Sequence, residues 1–278
     1  MTRRAWLAFA AASVIWGVPY LFIKIAVDHG VTPPVLAWGR VTLGALVLLA
    51  LSWRAGTLAG VGRRWRWLLA FAVAEIAIPF PLLAIGEQRV PSSLAAIMVA
   101  SVPLIGALLA LRFDYSERPT PIRAFGLVIG FGGVVALVGL NLAGHRGELL
   151  GIAAIIVTAT GYAIGPMLIK HRLGGLDPRA TMGASLALAS LILAPWAALD
   201  LPSHAPSAGG TGAVVVLGLL CTAAGFVVYA ILIGEAGTSR ATVVTFVNPL
   251  VAGRSTSPNA VNVSLACPPA ASGKLSAQ

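Results

Sequence analysis

Trp16–Lys24 reads WGVPYLFIK, and Tyr162–Lys170, starting 146 residues further on, reads YAIGPMLIK. Each stretch begins with an aromatic residue, contains a glycine and a proline, and ends in Ile-Lys at the close of a long apolar run. The same offset carries Pro103 onto Pro249, and Gly86–Glu87 matches Gly234–Glu235 with a small difference in loop length. After each lysine comes a loop with Thr32–Pro33 or Asp177–Pro178, and then another apolar run. The hydropathy order is thus repeated, which points to a duplicated chain.

Outward from these stretches the runs continue: Ala5–Val27, Pro34–Trp53, Trp67–Ile85, Leu94–Leu111, Ile122–Leu142, Leu149–Ile169, Ala180–Leu199 and Ala213–Gly234. Each approaches the roughly 20 residues that cross a hydrocarbon core of about 30 Å. They are apolar on every side, whereas a helix at a soluble surface keeps one polar face. Charged residues make up 10% of the 278-residue chain and mean hydropathy is +0.91, against about 25% charged in soluble domains. The expected fold is an all-α polytopic membrane protein. Five spans, an odd number, fall in the first half, so the second half enters the bilayer from the other side. Two inverted five-helix repeats are expected, over 1–142 and 149–252, the second incomplete: eight full spans and a partial ninth. Such repeats let a site near the bilayer midplane open alternately to the two faces.

The first run begins TRRAWLAFAAAS and has the charged start of a signal peptide. It continues unbroken to Val27, beyond the roughly 7–15 residues of a signal core, and is read as a retained span. With the amino terminus inside, thirteen Arg and Lys residues fall on the inner side and four on the outer side before the tail. This bias places the amino terminus in the cytoplasm. It also accounts for much of the net charge of +10, since no soluble basic face exists to hold nucleic acid. Arg outnumbers Lys 16 to 3 amid abundant Ala and Gly, which suggests a GC-rich bacterial genome; the location expected for a polytopic helical protein is then the bacterial inner membrane. Two cysteines, Cys221 and Cys267, form no disulfide or metal pattern. No cofactor or metal site is expected. Neither H-E-x-x-H, G-x-S-x-G nor a paired-carboxylate arrangement occurs within a span, so no enzyme is expected.

Ionisable groups within spans are functional candidates. Glu75 lies about nine residues into the third run. It is read either as a carboxylate that binds a substrate ammonium or exchanges a proton, or as a structural partner of Arg40. Arg40, seven residues into the second run, either clamps a substrate carboxylate, pairs with Glu75 or reaches the interface. Lys24 and Lys170 either snorkel from helix ends or gate the site from matched repeat positions. Trp16 and Tyr162 stand where a cavity wall or a helix contact would be, with Tyr20 of the same motif grouped with them. Pro79 and Pro81 remove two backbone donors and kink the third span. Gly126 and Gly130 form a G-x-x-x-G that permits close helix approach.

SVIWGVPYLFIKIA (13–26), PPVLAWGRVTLGALVLL (33–49) and GEQRVPSSLAAIMVASVPLIG (86–106) together resemble the drug/metabolite transporter superfamily, in its EamA-type ten-helix branch. Trp16–Gly17 and Lys24 resemble its first-helix signature, Arg40 the arginine of its second helix and Pro103 the proline of its fourth. The resemblance implies a central cavity, a small-molecule substrate and export of metabolites or amino acids. It also implies packing of the last helices of each half, which can support a homodimer.

Against that family the carboxy terminus departs. After Pro249 the sequence gives LVA and then GRSTSPNAVNVSLACPPAASGKLSAQ, whose prolines and polar residues do not suit a lipid-exposed helix. Residues 253–278 are read as a polar, disordered tail. A reading-frame shift near Ala252 with loss of the tenth helix is the favoured expectation, and a native tail after a short ninth helix is the alternative. A non-transporting remnant and an intramembrane enzyme stand as the competing functions.

Overall fold

The computed structural model describes residues 2–113, 122, 125, 126, 128–130, 132, 133, 148–236, 243 and 244. Among the described residues no strand occurs. Seven helical spans among the described residues are long and apolar enough to cross a membrane: α1 (Arg3–Asp28), α2 (Pro33–Arg54), α3 (Gly62–Glu87), α4 (Leu94–Phe113), α5 (Glu148–Leu173), α6 (Pro178–Leu199) and α7 (Ala208–Ala236). The molecule is a polytopic α-helical membrane protein. Most of the run Ile122–Leu142, together with Pro249 and the tail 253–278, lies outside the described residues.

Helix ends follow local chemistry. Thr2 caps α1, its hydroxyl accepting from the Ala5 N–H at 3.0 Å, and Pro33 opens α2 at a position whose N–H has no helical partner. Asp177 caps α6 by accepting from the N–H groups of Arg179 at 2.9 Å and Ala180 at 3.3 Å. α1 is interrupted at Val18, where Pro19 has no N–H to continue the ladder. α4 breaks at Ala100–Ser101 and restarts so that Pro103 falls in the first turn.

Three wide π-helical stretches are built into the spans, at Ala72–Ala77 in α3, Ile169–Leu173 in α5 and Leu217–Ala224 in α7. In α3 the Ile78 N–H reaches back to the Val73 carbonyl at 3.2 Å, and Pro79 and Pro81 then occupy the first turn of a restarted helix. The expected proline kink is therefore a π turn followed by a new helical start. π turns leave carbonyls without helical donors, and they cluster at functional sites.

Among the described residues several contacts between spans are matched when the first three and last three spans are exchanged. α2 packs along α6; α1 packs on α7 as α5 packs on α3; α2 meets the π stretch of α7 as α6 meets that of α3. At the α2–α6 crossing a Cβ on Gly183 would meet the Leu48–Leu49 backbone at 3.1 to 3.2 Å. Glycine is what lets the two backbones approach there. Gly126 and Gly130 are exposed, and among the described residues the Leu104 side chain lies near Gly130.

The two ends differ in charge. At one, the Arg64 guanidinium donates to the carbonyls of Arg172 at 2.9 Å and Gly174 at 2.5 Å, and Arg4 approaches Glu235 at 3.7 Å. At the other, Thr32 donates to the Asp200 carbonyl at 2.6 Å.

Candidate functional site

Where α1, α2, α3, α4, α5 and α7 converge, they enclose a cavity of about 110 Å³. Five of the sequence candidates line it: Trp16, Tyr20, Arg40, Glu75 and Tyr162. Lys24 and Lys170 do not. Lys24 forms an exposed ion pair with Asp28 at 2.9 Å, one turn along its own helix, and Lys170 is exposed in the π stretch that ends α5. Pro79 lies beside the cavity, its carbonyl accepting from the Thr158 hydroxyl at 3.2 Å.

Arg40 is 5% exposed. Its Nε donates to the Thr222 hydroxyl at 3.3 Å, which in turn donates to the Leu217 carbonyl at 2.8 Å. The guanidinium lies over the Phe80 ring, 4.1 Å from its centroid. Among the described residues it makes no ion pair, so the alternative of an Arg40–Glu75 bridge is not realised. Arginine has five N–H donors, and all but one remain for a ligand. The planar group is held by a ring face and one hydroxyl, with its fork unoccupied among the described residues.

Glu75 sits within the π stretch of α3, and its Oε2 is buried without a hydrogen-bond partner among the described residues. Gly165 of α5 makes room for it. A Cβ there would collide with the Glu75 carboxylate, and one on Gly161 would collide with the Ala74 carbonyl. The glycines of YAIGPMLIK and the turn before it are thus the seat of the carboxylate.

Trp16 forms the opposite wall. Its indole N–H donates to the Cys221 carbonyl at 3.2 Å, a group exposed by the π stretch of α7. Its ring lies 4.5 Å from that of Tyr229 and 5.9 Å, edge-on, from that of Phe226. Tyr162 stands edge-on to Phe80 at 6.4 Å. The lining thus combines an unpaired guanidinium, a partnerless carboxyl oxygen, phenols and aromatic faces, the mixture of apolar wall and sparse polar groups found in small-molecule sites.

Phe80, Val99, Val102, Cys221, Phe226 and Tyr229 also line the cavity and were not singled out in the sequence. The repeat itself held one missed signal. The offset that carries Trp16 onto Tyr162 also carries Glu75 onto Cys221.

Known proteins match along nearly the whole length. A protein named as an uncharacterized transporter of Archaeoglobus fulgidus is 25% identical over 261 residues, covering 89% of this chain and 87% of the relative. A protein named as the uncharacterized inner membrane transporter YedA of Escherichia coli K12 is 29% identical over 252 residues, with 88% and 79% covered. Protein PagO of Salmonella typhimurium is 28% identical over 254 residues, with 88% and 82% covered. A solved crystal structure shares the fold at a TM-score of 0.70 and 20% identity, over 95% of this chain and 90% of the other. The EamA-like transporter family matches residues 3–139 and 149–253, and with that coverage the chain belongs to the EamA-like family of membrane transporters.

Proposed function

We propose that the chain exports a small polar metabolite or amino acid across a bacterial inner membrane, with its amino terminus in the cytoplasm. Two inverted repeats alternate access to the cavity between α1, α2, α3, α4, α5 and α7. The observation that carries this reading is the convergence of Trp16, Tyr20, Arg40, Glu75 and Tyr162, from both halves of the chain, on one cavity. The unpaired Arg40 fork binds an anionic group of the substrate, the aromatic walls hold its body, and Glu75 binds an ammonium or exchanges a proton with the transport cycle. Relatives named as transporters, one of them as an inner membrane transporter, support the class and the location. The match of the contact pattern on exchange of halves supports the repeats. The exposed Gly126 and Gly130 are the proposed contact of a homodimer.

Expression in a bacterial host, with metabolites measured inside and outside the cells, tests the reading. The full chain is expected to raise the external level of at least one small polar metabolite, and Arg40→Ala and Glu75→Gln to abolish the rise at equal membrane abundance. Levels equal to those of cells with an empty vector would overturn it.

A further inference from the structure

A second buried carboxyl lies at the end of α3. Glu87 is 3% exposed. Its Oε2 accepts from the Ser92 hydroxyl at 2.7 Å, while Oε1 is buried with no partner among the described residues. The repeat-related Glu235 is treated differently: it accepts from the Thr2 hydroxyl at 2.8 Å and faces Arg4.

Position gives Glu87 its interest. The inner cavity is lined by Tyr20 on α1 and Leu83 on α3. A second, open pocket of about 430 Å³ begins at Val27 on α1 and Ile85 on α3, and continues over Gln88 and Arg89. Ile23, Leu83, Val90 and Leu94, each 4% exposed or less, belong to one buried apolar cluster, a plug on these two helices and the segment that follows them. Glu87 lies one turn beyond Leu83 on α3 and is fastened by Ser92 to the start of α4. The titratable and charged groups around it are Lys24 and Tyr20 from α1 and Arg40 from α2. The adjoining α5 carries Glu148 and Tyr162, and α4 contributes none before Val99. None is bonded to Glu87, and Lys24 is held by Asp28.

We infer that Glu87 is a second proton-exchange site, and that its bond to Ser92 latches the cavity against the outer pocket. The inference rests on the transport reading above. A neutral carboxyl satisfies Ser92 and keeps the plug shut. Loss of its proton to water in the outer pocket strengthens the Ser92 bond but leaves a buried charge whose second oxygen has no partner, a cost that one hydroxyl does not offset. Separation of α3 from the start of α4 relieves it by admitting water and bringing Lys24 within reach.

Cys221 reports on the latch, because it lines the inner cavity and becomes the sole thiol of the full chain once Cys267→Ser is made. That chain, in proteoliposomes, is treated with a membrane-impermeant maleimide from one face at a time. Its rate is divided by that of its Glu87→Gln form at the same pH, which cancels the thiol's own titration. From the outer-pocket face the ratio is expected to rise about tenfold between about pH 5 and pH 8, the scale of one hydrogen bond. Ser92→Ala is expected to raise the low-pH rate, and Glu75→Gln to leave the pH response in place. A ratio that stays flat, or a response that vanishes in Glu75→Gln, overturns the latch. Labelling from the opposite face in that case leaves the cavity reading standing. Labelling from neither face in any form overturns both. If Ser92→Ala does not yield a monodisperse particle, the Glu87→Gln ratio decides alone.

Discussion

The π stretches of α3 and α7 occupy matched positions in the two halves, and each faces the first helix of the opposite half. They are used differently. In α3 the widened turn presents Glu75, seated against Gly165 with one oxygen unbonded. In α7 the matched residue is Cys221, whose carbonyl is taken by Trp16 and whose neighbour Thr222 steadies Arg40. One backbone device therefore exposes an acid on one side and holds the wall and the cation on the other. The two stretches thus present different groups: an acid in α3, and in α7 a carbonyl and a hydroxyl that bond Trp16 and Arg40.

The largest expected effect is on transport. Glu75→Gln is expected to reduce the metabolite export described above by about 100-fold, as loss of an intramembrane functional carboxyl would. Cys221→Ala at the matched site should change it by no more than about threefold, since the carbonyl used by Trp16 belongs to the backbone. Equal effects of the two variants would remove the division of labour.

Stability separates the niches next. Gly165→Ala drives a methyl into the Glu75 carboxylate, and a cost of about 3 kcal/mol is expected, the upper range for overpacking. Gly225→Ala places its Cβ 2.6 Å from the Trp16 indole nitrogen. The ring can shift at the expense of its hydrogen bond, so about 1 to 2 kcal/mol is expected. Thermal unfolding in detergent gives the order, and a larger loss for Gly225→Ala would reverse the assignment of the tighter seat. By the same measurement Trp16→Phe should cost about 1 kcal/mol by orphaning the Cys221 carbonyl. Tyr162→Phe should stay within about 0.5 kcal/mol, because the Tyr162 hydroxyl has no hydrogen-bond partner among the described residues.

Much of this was legible before the fold was seen. Lipid requires apolar side chains over a span's length, so the seven spans stand out as runs. Within them an Arg or Glu is conspicuous, which is why Arg40 and Glu75, both lining the cavity, stand out in the sequence. Phe80, Phe226 and Tyr229 were not. Inside a uniformly apolar helix nothing distinguishes a side chain that faces a cavity from one that faces lipid or a neighbour. The π stretches were hidden for a related reason, since only Pro79 marks the one in α3 and no proline marks the one in α7. Glu87 was noticed only as a match for Glu235, because an acid at a span end looks like a loop residue until its burial is known. Lys24 and Lys170 were conspicuous by the same logic as Arg40, yet both reach the outside of the bundle.

The smallest effect lies at the helix starts that the repeat also matches. Thr32 opens α2 without a capping bond, spending its hydroxyl on the Asp200 carbonyl, whereas Asp177 opens α6 with two backbone N–H groups and the guanidinium of Arg179. The Arg179 side chain, foremost, and the backbone donors hold the Asp177 carboxyl below the usual aspartate range. A carboxyl whose folded-state pKa is depressed contributes stability above its unfolded value of about 3.9, and that contribution is lost as pH falls through the lower folded value. Asp177→Ala is expected to cost about 0.5 kcal/mol near neutral pH, the low end for a cap because solvent screens the ion pair. Asp177→Asn keeps an N-cap acceptor and removes the titration. Its stability relative to the parent should therefore rise as pH is lowered below about 4. A parallel fall of parent and Asp177→Asn over that range would mean that the Arg179 contact contributes nothing, leaving the two helix starts energetically alike despite their different chemistry.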